Sequence, residues 1–394
     1  MEHLLIAEAS VPGGLHWDSL YTGLFLLVFA SVAAYSLAIP QGDRRWWGLA
    51  AALGGLVLAG QVVGAGFTRL ILLDGAALAA VALVWVQDTP QAKASAQSYL
   101  QLLLLAMALI GLGLYLGGEG AAAPASPVDK IAVALLLAGF GLKLALVPFY
   151  FWLPGVAEAA PPMTTALIVS VVDIAAFGEL AHLRLTAPWV FADYTSLWLA
   201  VALLSMVGGA LLALSQTNLK RMLAFSTIDD MGYMILGVAV GSSVGLTGAI
   251  LAALAHALFK VLLFGAVGVA EHRRGRAITL ADRGLAASYP LSAAVYIAGA
   301  LGILGVPPLF GFVGRWRLYL AGAEFGGVWL AAVMAAATAI ALLYYARSIH
   351  QVWLGQGEAD SAAEPLLPAG VLVGLTILAV ILGLYPGWIT AILG

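Results

Sequence analysis

Long apolar runs alternate with short polar stretches along the whole chain. The runs fall at about 19–38, 46–66, 69–87, 98–117, 129–153, 163–183, 195–215, 219–242, 245–270, 287–322, 326–349 and 366–391. Most reach the ~20 mainly apolar residues that a helix needs to cross a bilayer. Helices are predicted for all of them, because peptide groups in hydrocarbon must find their hydrogen bonds within the segment. A transmembrane barrel would instead show short stretches of alternating polarity, and these runs are continuous. The pattern predicts an all-α, polytopic membrane protein of about twelve transmembrane helices.

Two runs carry prolines where a helix should be unbroken. One holds Pro148-Phe149-Tyr150-Phe151-Trp152-Leu153-Pro154, just after Lys143; the other holds Val306-Pro307-Pro308-Leu309-Phe310-Gly311, just before Arg315. Interrupted segments at corresponding positions point to an inverted-repeat transporter architecture. The expected organisation is an N-terminal helix (1–45), a first five-helix repeat (46–185), a second, inverted five-helix repeat (195–350) and a C-terminal helix (351–394). The polar stretches 118–130, 272–285 and 354–365 read as ordinary loops, the first of them Gly/Ala/Pro-rich.

Composition narrows the chemistry. Hydrophobic residues make up 63% and charged residues 9%, with a net charge of -3. That charge gives no reason to expect a nucleic-acid partner. With no cysteine, thiol chemistry and cysteine-ligated iron–sulfur clusters are excluded. The six histidines fall in no paired ligand spacing, and no Gly-rich phosphate loop is present, so no cofactor is expected in this chain. No basic stretch precedes the first apolar run, so the first helix is expected to act as the insertion signal.

Positive charge in short loops sets membrane orientation. Arg44, Arg45, Lys93, Lys220, Arg221, Arg273, Arg274, Arg276, Arg283 and Arg347 all fall on one side if about twelve spans alternate. Arg69, Lys130 and Arg184 do not. The bias predicts a multi-pass protein of the cell (inner) membrane, with both termini on the non-cytoplasmic side.

The charges left inside the runs are the candidate machinery, since a charge in hydrocarbon is costly and kept for a reason. Lys143 lies mid-segment with apolar neighbours, and a desolvated amine releases its proton more readily than one in water. His256 and Lys260 are four apart, on one helical face. Asp74 and Asp173 lie deep in their runs, and Asp74 could pair with Lys143 from a neighbouring helix. Arg315 cannot release its proton and so can act only as a fixed charge, an anion partner or a gate. Glu179, Lys220, Asp229 and Asp230 are accessory candidates. Adjacent acids on a helix point about 100° apart, so at most one of Asp229 and Asp230 faces a given partner.

These residues sit in four segments: KLALVPFYFWLPGVAEAAPPMTTALI, NLKRMLAFSTIDDMGYMILG, HALFKVLLFGAVG and GVPPLFGFVGRWRLYL. Together they resemble the signature segments of the antiporter-like proton-channel subunits of respiratory complex I (NADH-quinone oxidoreductase), Mrp-type sodium/proton antiporters and membrane-bound hydrogenases. The resemblance covers roughly residues 125–320. It implies an inverted-repeat bundle with half-channels joined along a central polar axis, and no redox cofactor in the chain itself. It also implies roles by position. Asp74 falls where the family usually has a membrane glutamate, Lys143 matches the lysine of the first broken helix, and His256 and Lys260 match its histidine and central lysine. Three positions depart from the family pattern. Asp173 stands where a lysine or histidine usually links the half-channels, Arg315 where a lysine or glutamate is usual, and Asp229-Asp230 where neutral polar residues or histidine are.

The function expected is translocation of protons or another ion, within a redox-driven complex, along Asp74, Lys143, Asp173, His256, Lys260 and Arg315. The expected partners are other membrane subunits, a peripheral redox module, the bilayer, and a proton or sodium ion. The alternatives are a subunit of a Mrp-like cation/proton antiporter or an ion-coupled bicarbonate uptake system, in which the extra acids would suit sodium, and a diverged subunit that only anchors its neighbours.

Overall fold

The computed structural model describes residues 17–64, 66–118, 127–357 and 363–387, and these are helical almost throughout. In chain order the helices are α1 (Trp17–Ala38), α2 (Arg44–Val62), α3 (Phe67–Trp85), α4 (Pro90–Gly117), α5 (Val128–Lys143), α6 (Trp152–Ala159), α7 (Pro162–Leu167) and α8 (Asp173–Thr186). There follow α9 (Trp189–Ala192), α10 (Thr195–Ser215), α11 (Leu219–Val240), α12 (Ser243–Arg274), α13 (Leu285–Ser288), α14 (Pro290–Ile303), α15 (Gly311–Ser348) and α16 (Leu366–Leu384). Among the described residues, nine helical stretches are long and apolar enough to cross a membrane on length and composition, and α14 is a shorter apolar helix. The chain is an all-α, multi-pass membrane protein. Most of the 118–130 loop, part of the 354–365 loop and the far end of the last run lie outside the described residues.

Polar residues sit where the helices begin and end. Asp43, Thr89, Asn218 and Ser242 each accept a hydrogen bond from a first-turn backbone N–H of α2, α4, α11 and α12. Gly241 and Gly275 close α11 and α12 in the left-handed conformation that favours glycine.

Helices α11 and α12 are buried on nearly every side and form the centre of the bundle. Small residues let their neighbours approach closely, as in membrane helix packing generally. A methyl group at Gly209 of α10 would lie 2.5 Å from the Asp229 nitrogen, and one at Gly232 of α11 would lie 2.5 Å from the Met206 nitrogen. This contact fixes the rotation of α11, and with it the direction in which its acids point.

Both interruptions are real and lie slightly upstream of their prolines. Helix α5 ends at Lys143, ahead of Pro148, because proline supplies no N–H and disfavours the helical conformation in the residue before it. Pro154 sits in the first turn of α6, where its missing N–H costs nothing. The polar backbone exposed by the first break is re-paired. Leu142 O accepts from the Trp152 indole at 2.9 Å, and Val147 N donates to Ser205 Oγ at 2.9 Å. At the second break Ile303 O accepts from Arg315 at 2.9 Å, and Phe310 N donates to Ala379 O at 3.1 Å. Irregular backbone at membrane depth survives only with such partners. The runs 287–322 and 326–349 meet inside α15, which is kinked at Gly327 (φ 63°).

Candidate functional site

The first cluster joins α3 to α5. Lys143, the last residue of α5, donates to Asp74 Oδ1, and both side chains are almost fully buried. The break leaves the ammonium at the end of its helix, beside irregular backbone. The Tyr99 ring stacks on Trp152 at 4.2 Å and closes one side of this region.

Asp173 comes next. One π-helical turn, Ile168–Val172, separates α7 from α8 and shifts the register by a residue, so that Asp173 begins α8 facing inward. Such turns recur at functional sites. Asp173 is 1% exposed, and its Oδ2 has no hydrogen-bond partner among the described residues. Lys143 is near enough for its charge to act on Asp173. In the same turn, Ser170 Oγ donates to Ala257 O of α12 at 2.9 Å, between His256 and Lys260. The π turn thus ties the first cluster to the segment that holds the second.

The second cluster is centred on Asp230. Its Oδ1 accepts from Arg315 at 3.0 Å; its Oδ2 lies 3.3 Å from His256 Nδ1 and 3.6 Å from Lys260 Nζ. Lys260 also donates to Ser226 Oγ at 2.5 Å and to Leu223 O at 3.1 Å. Arg315 stacks over the Tyr233 ring at 3.7 Å. Asp229 turns the other way: its Oδ2 accepts from Tyr344 at 3.3 Å, and its Oδ1 is without a partner among the described residues. His256 Nε2 is likewise unpartnered among the described residues. A cavity of about 20 Å³, room for one water, adjoins this cluster; Asp230, Tyr233, His256, Ile303 and Arg315 help to line it.

The remaining charges pair nearer the helix ends. Glu179 lies 2.8 Å from Arg69, which also reaches Asp18 at 2.6 Å. A cleft of about 660 Å³ beside Glu179 opens between α3, α4 and α8. Lys220 pairs with Glu271 at 3.2 Å and donates to Ala160 O at 2.9 Å; Arg221 pairs with Glu158 at 2.8 Å.

In the loop after α12, Asp282 accepts from Arg274, from Arg276 twice, and from the backbone and hydroxyl of Thr279. Burial alone would raise its pKa. The bonds from Arg276, Thr279 and Arg274 outweigh this and hold the carboxyl below the usual carboxylate range. Because the folded pKa is the lower one, the stabilisation is present above the ordinary carboxylate pKa and is lost as pH falls through the folded value. Asp282→Asn should lower the melting temperature at neutral pH and flatten its acid limb; an unchanged acid limb would contradict this.

The family described as NADH:quinone oxidoreductase/Mrp antiporter, TM matches residues 90–341. The chain belongs to this family. Among its curated members, NADH-quinone oxidoreductase subunit N of Salinibacter ruber is 32% identical over 267 residues, covering 64% of this chain and 53% of that protein. Subunit N of Geotalea uraniireducens is 35% identical over 265 residues, covering 66% and 56%. The chain thus spans about half the length of the curated relatives it matches. Three solved structures share the fold. The Mrp complex from Dietzia sp. DQ12-45-1b superimposes with TM-score 0.87 at 22% identity, covering 96% of this chain and 82% of that one. The membrane-bound sulfane sulfur reductase, an archaeal respiratory membrane complex, gives 0.84 at 25%, covering 95% and 81%. Respiratory complex I from Thermus thermophilus with bound aureothin gives 0.79 at 26%, covering 97% and 87%.

Within this family chain, the candidate residues gather into two groups. Asp74 and Lys143 form the pair expected of them, with Asp173 alongside; His256, Lys260 and Arg315 meet on Asp230. Glu179 and Lys220 stand apart, each paired elsewhere. Asp230, an accessory candidate from sequence, is the hub of the second group. Arg69 and Glu271 were missed. Arg69 gave a signal, as a cation on the wrong side of the loop pattern, whereas Glu271, just before a basic run, gave none.

Proposed function

We propose that this chain is the ion-translocating membrane subunit of a redox-driven complex of the complex I or membrane-bound hydrogenase type, and that the ion is the proton. The observation that carries this is the pair of buried charge clusters, with Asp173 buried near the first and its π turn bonded to the helix that holds His256 and Lys260. Lys143 takes up and releases the proton of the first half-path, and Asp74 balances its charge. Asp173 passes the proton on, its free oxygen serving as the landing site. Lys260 and His256 receive it, and Asp230 holds them against the fixed charge of Arg315. Residues 46–185 and 195–350 act as the two inverted units, each with one broken helix. The chain sits in the inner membrane with both termini on the non-cytoplasmic side, beside other membrane subunits and a peripheral redox module, and carries no cofactor itself.

The energetics suit coupling by charge. One unit charge at 4 Å is worth about 4 kcal/mol at an effective dielectric of 20, enough to move a pKa by roughly three units. Changing the charge on one member of the Asp74–Lys143 pair therefore alters proton binding at Asp173 without large motion. The proton is favoured over sodium because Asp230, the acid at the centre of the second cluster, is covered by three basic side chains and leaves no oxygen free for a hard cation.

Extraction in mild detergent, identification of the co-purifying subunits and assay for flavin and iron–sulfur test the assignment. Redox subunits in the complex support it. A purely membrane assembly with sodium-dependent exchange and no redox centre would replace it with the antiporter.

A further inference from the structure

Arg317 is a cation the path does not use. It lies on α15, two residues past Arg315, half-exposed on the outside of the bundle. Its one hydrogen bond among the described residues runs from NH1 to Val313 O at 2.9 Å. Four donors are thus left over on a group that cannot discharge.

Its depth makes this costly. At 1.5 Å per residue, Arg317 is ~9 Å along the axis from the start of α15 at Gly311 and ~15 Å from the kink at Gly327. On the facing helix, a methyl group at Gly248 would lie 2.9 Å from the Arg317 Cβ, and Gly248 is ~8 Å from the start of α12 at Ser243. A snorkelling arginine would extend toward the nearer membrane surface. This one folds back along its helix toward the break, as its bond to Val313 requires. Glu324, the acid nearest in sequence on α15, lies two turns away in the opposite direction. The bond to Val313 O thus points the guanidinium away from the end of α12 that lies nearest to it. Beside Arg317 the exposed face of α15 carries Phe312, Trp316 and Leu320, and the Phe312 and Trp316 rings are stacked at 6.0 Å.

We infer that this face of α15 docks a transmembrane helix of a neighbouring subunit, and that Arg317 pairs with an Asp or Glu on that helix. Aromatic and arginine anchors side by side are the usual make-up of a binding hot spot. Pairing satisfies the donors left unused within the chain. The inference rests on the reading of this chain as a subunit of a membrane complex.

The test replaces Trp316 with a photo-crosslinking phenylalanine in the assembled complex in native membranes. The cross-linked peptide should come from a membrane span of another subunit that contains a carboxylate. Arg317→Glu should then weaken retention of that subunit by at least about tenfold, as loss of a buried charge pair does. Reversing the partner's acid to Arg should restore it. Cross-links to lipid or to a second copy of this chain would overturn the inference, as would wild-type retention in Arg317→Glu. Arg317→Met separates docking from folding. If the Met and Glu variants alike lower the amount of this chain in the membrane, Arg317 is internal structure and the docking site is wrong. If no other subunit accompanies the wild-type chain, the subunit reading fails as well.

Discussion

Replacing Asp230 with alanine is expected to cost this protein both its second cluster and much of its stability. Asp230 is the carboxylate that meets Arg315, His256 and Lys260 together. Without it, Arg315 and Lys260 share a buried site and lose the one carboxylate that reaches both, with only Asp229, which turns the other way, nearby. Breaking a buried pair by removing one partner typically costs 3–5 kcal/mol, roughly the lower end of total stability for many domains. Asp230→Ala should therefore give little assembled protein and no ion translocation. Asp230→Asn keeps the volume and one acceptor, so it should assemble better yet still fail to conduct. The sharper check is Asp230→Asn combined with Arg315→Met. Removing the acid and its strongest cation together restores the charge balance, and melting temperature in detergent should recover relative to Asp230→Asn alone. A double variant no more stable than the single one would show that Asp230 does not neutralise Arg315.

The second large effect is expected at Lys143. In the proposed path its ammonium exchanges the proton of the first cluster; Asp74 is its ion-pair partner. Lys143→Ala removes the carrier and leaves Asp74 buried among apolar side chains. A carboxylate stranded in this way takes up a proton instead of staying charged. The chain should then still fold, because a neutral acid is far cheaper to bury than an ion, but coupled translocation should be abolished. The Lys143→Arg variant separates charge from exchange: it keeps the ion pair and cannot release a proton. It should assemble like the wild type and translocate no better than the alanine variant. Translocation by Lys143→Arg at the wild-type rate, measured as a pH gradient across vesicles holding the assembled complex, would rule out Lys143 as a carrier.

Much of this arrangement could be read along the chain, and the rest depended on packing. Continuous apolar runs predict helices because hydrocarbon allows little else, and apart from the two breaks and the helix ends every such run is helical as far as it is described. The two breaks were legible from Pro148 and Pro307-Pro308. The upstream end of α5 was not, because the cost of a proline falls on the turn before it. Asp74 and Lys143 were legible as a pair, each being the one charge in the interior of its run. Asp230 was not legible as a hub. Helical phase says only that Asp229 and Asp230 diverge; the contact of Gly209 and Gly232 between α10 and α11 decides which of them faces Arg315. The π turn at Ile168–Val172 left no mark either, since its residues contain no glycine or proline to announce it. Asp173 was legible as a deep charge, but not that this turn sets it at the start of α8, buried.

The most direct test counts ions against electrons. The assembled complex is placed in sealed vesicles, and protons moved per electron transferred are measured for the wild type and for Asp173→Asn. Asparagine matches aspartate in size but cannot take up and pass on a proton. If protons cross this chain by way of Asp173, the ratio falls in the variant while electron transfer continues. A wild-type ratio in a fully assembled Asp173→Asn complex would contradict a path through the centre of this subunit.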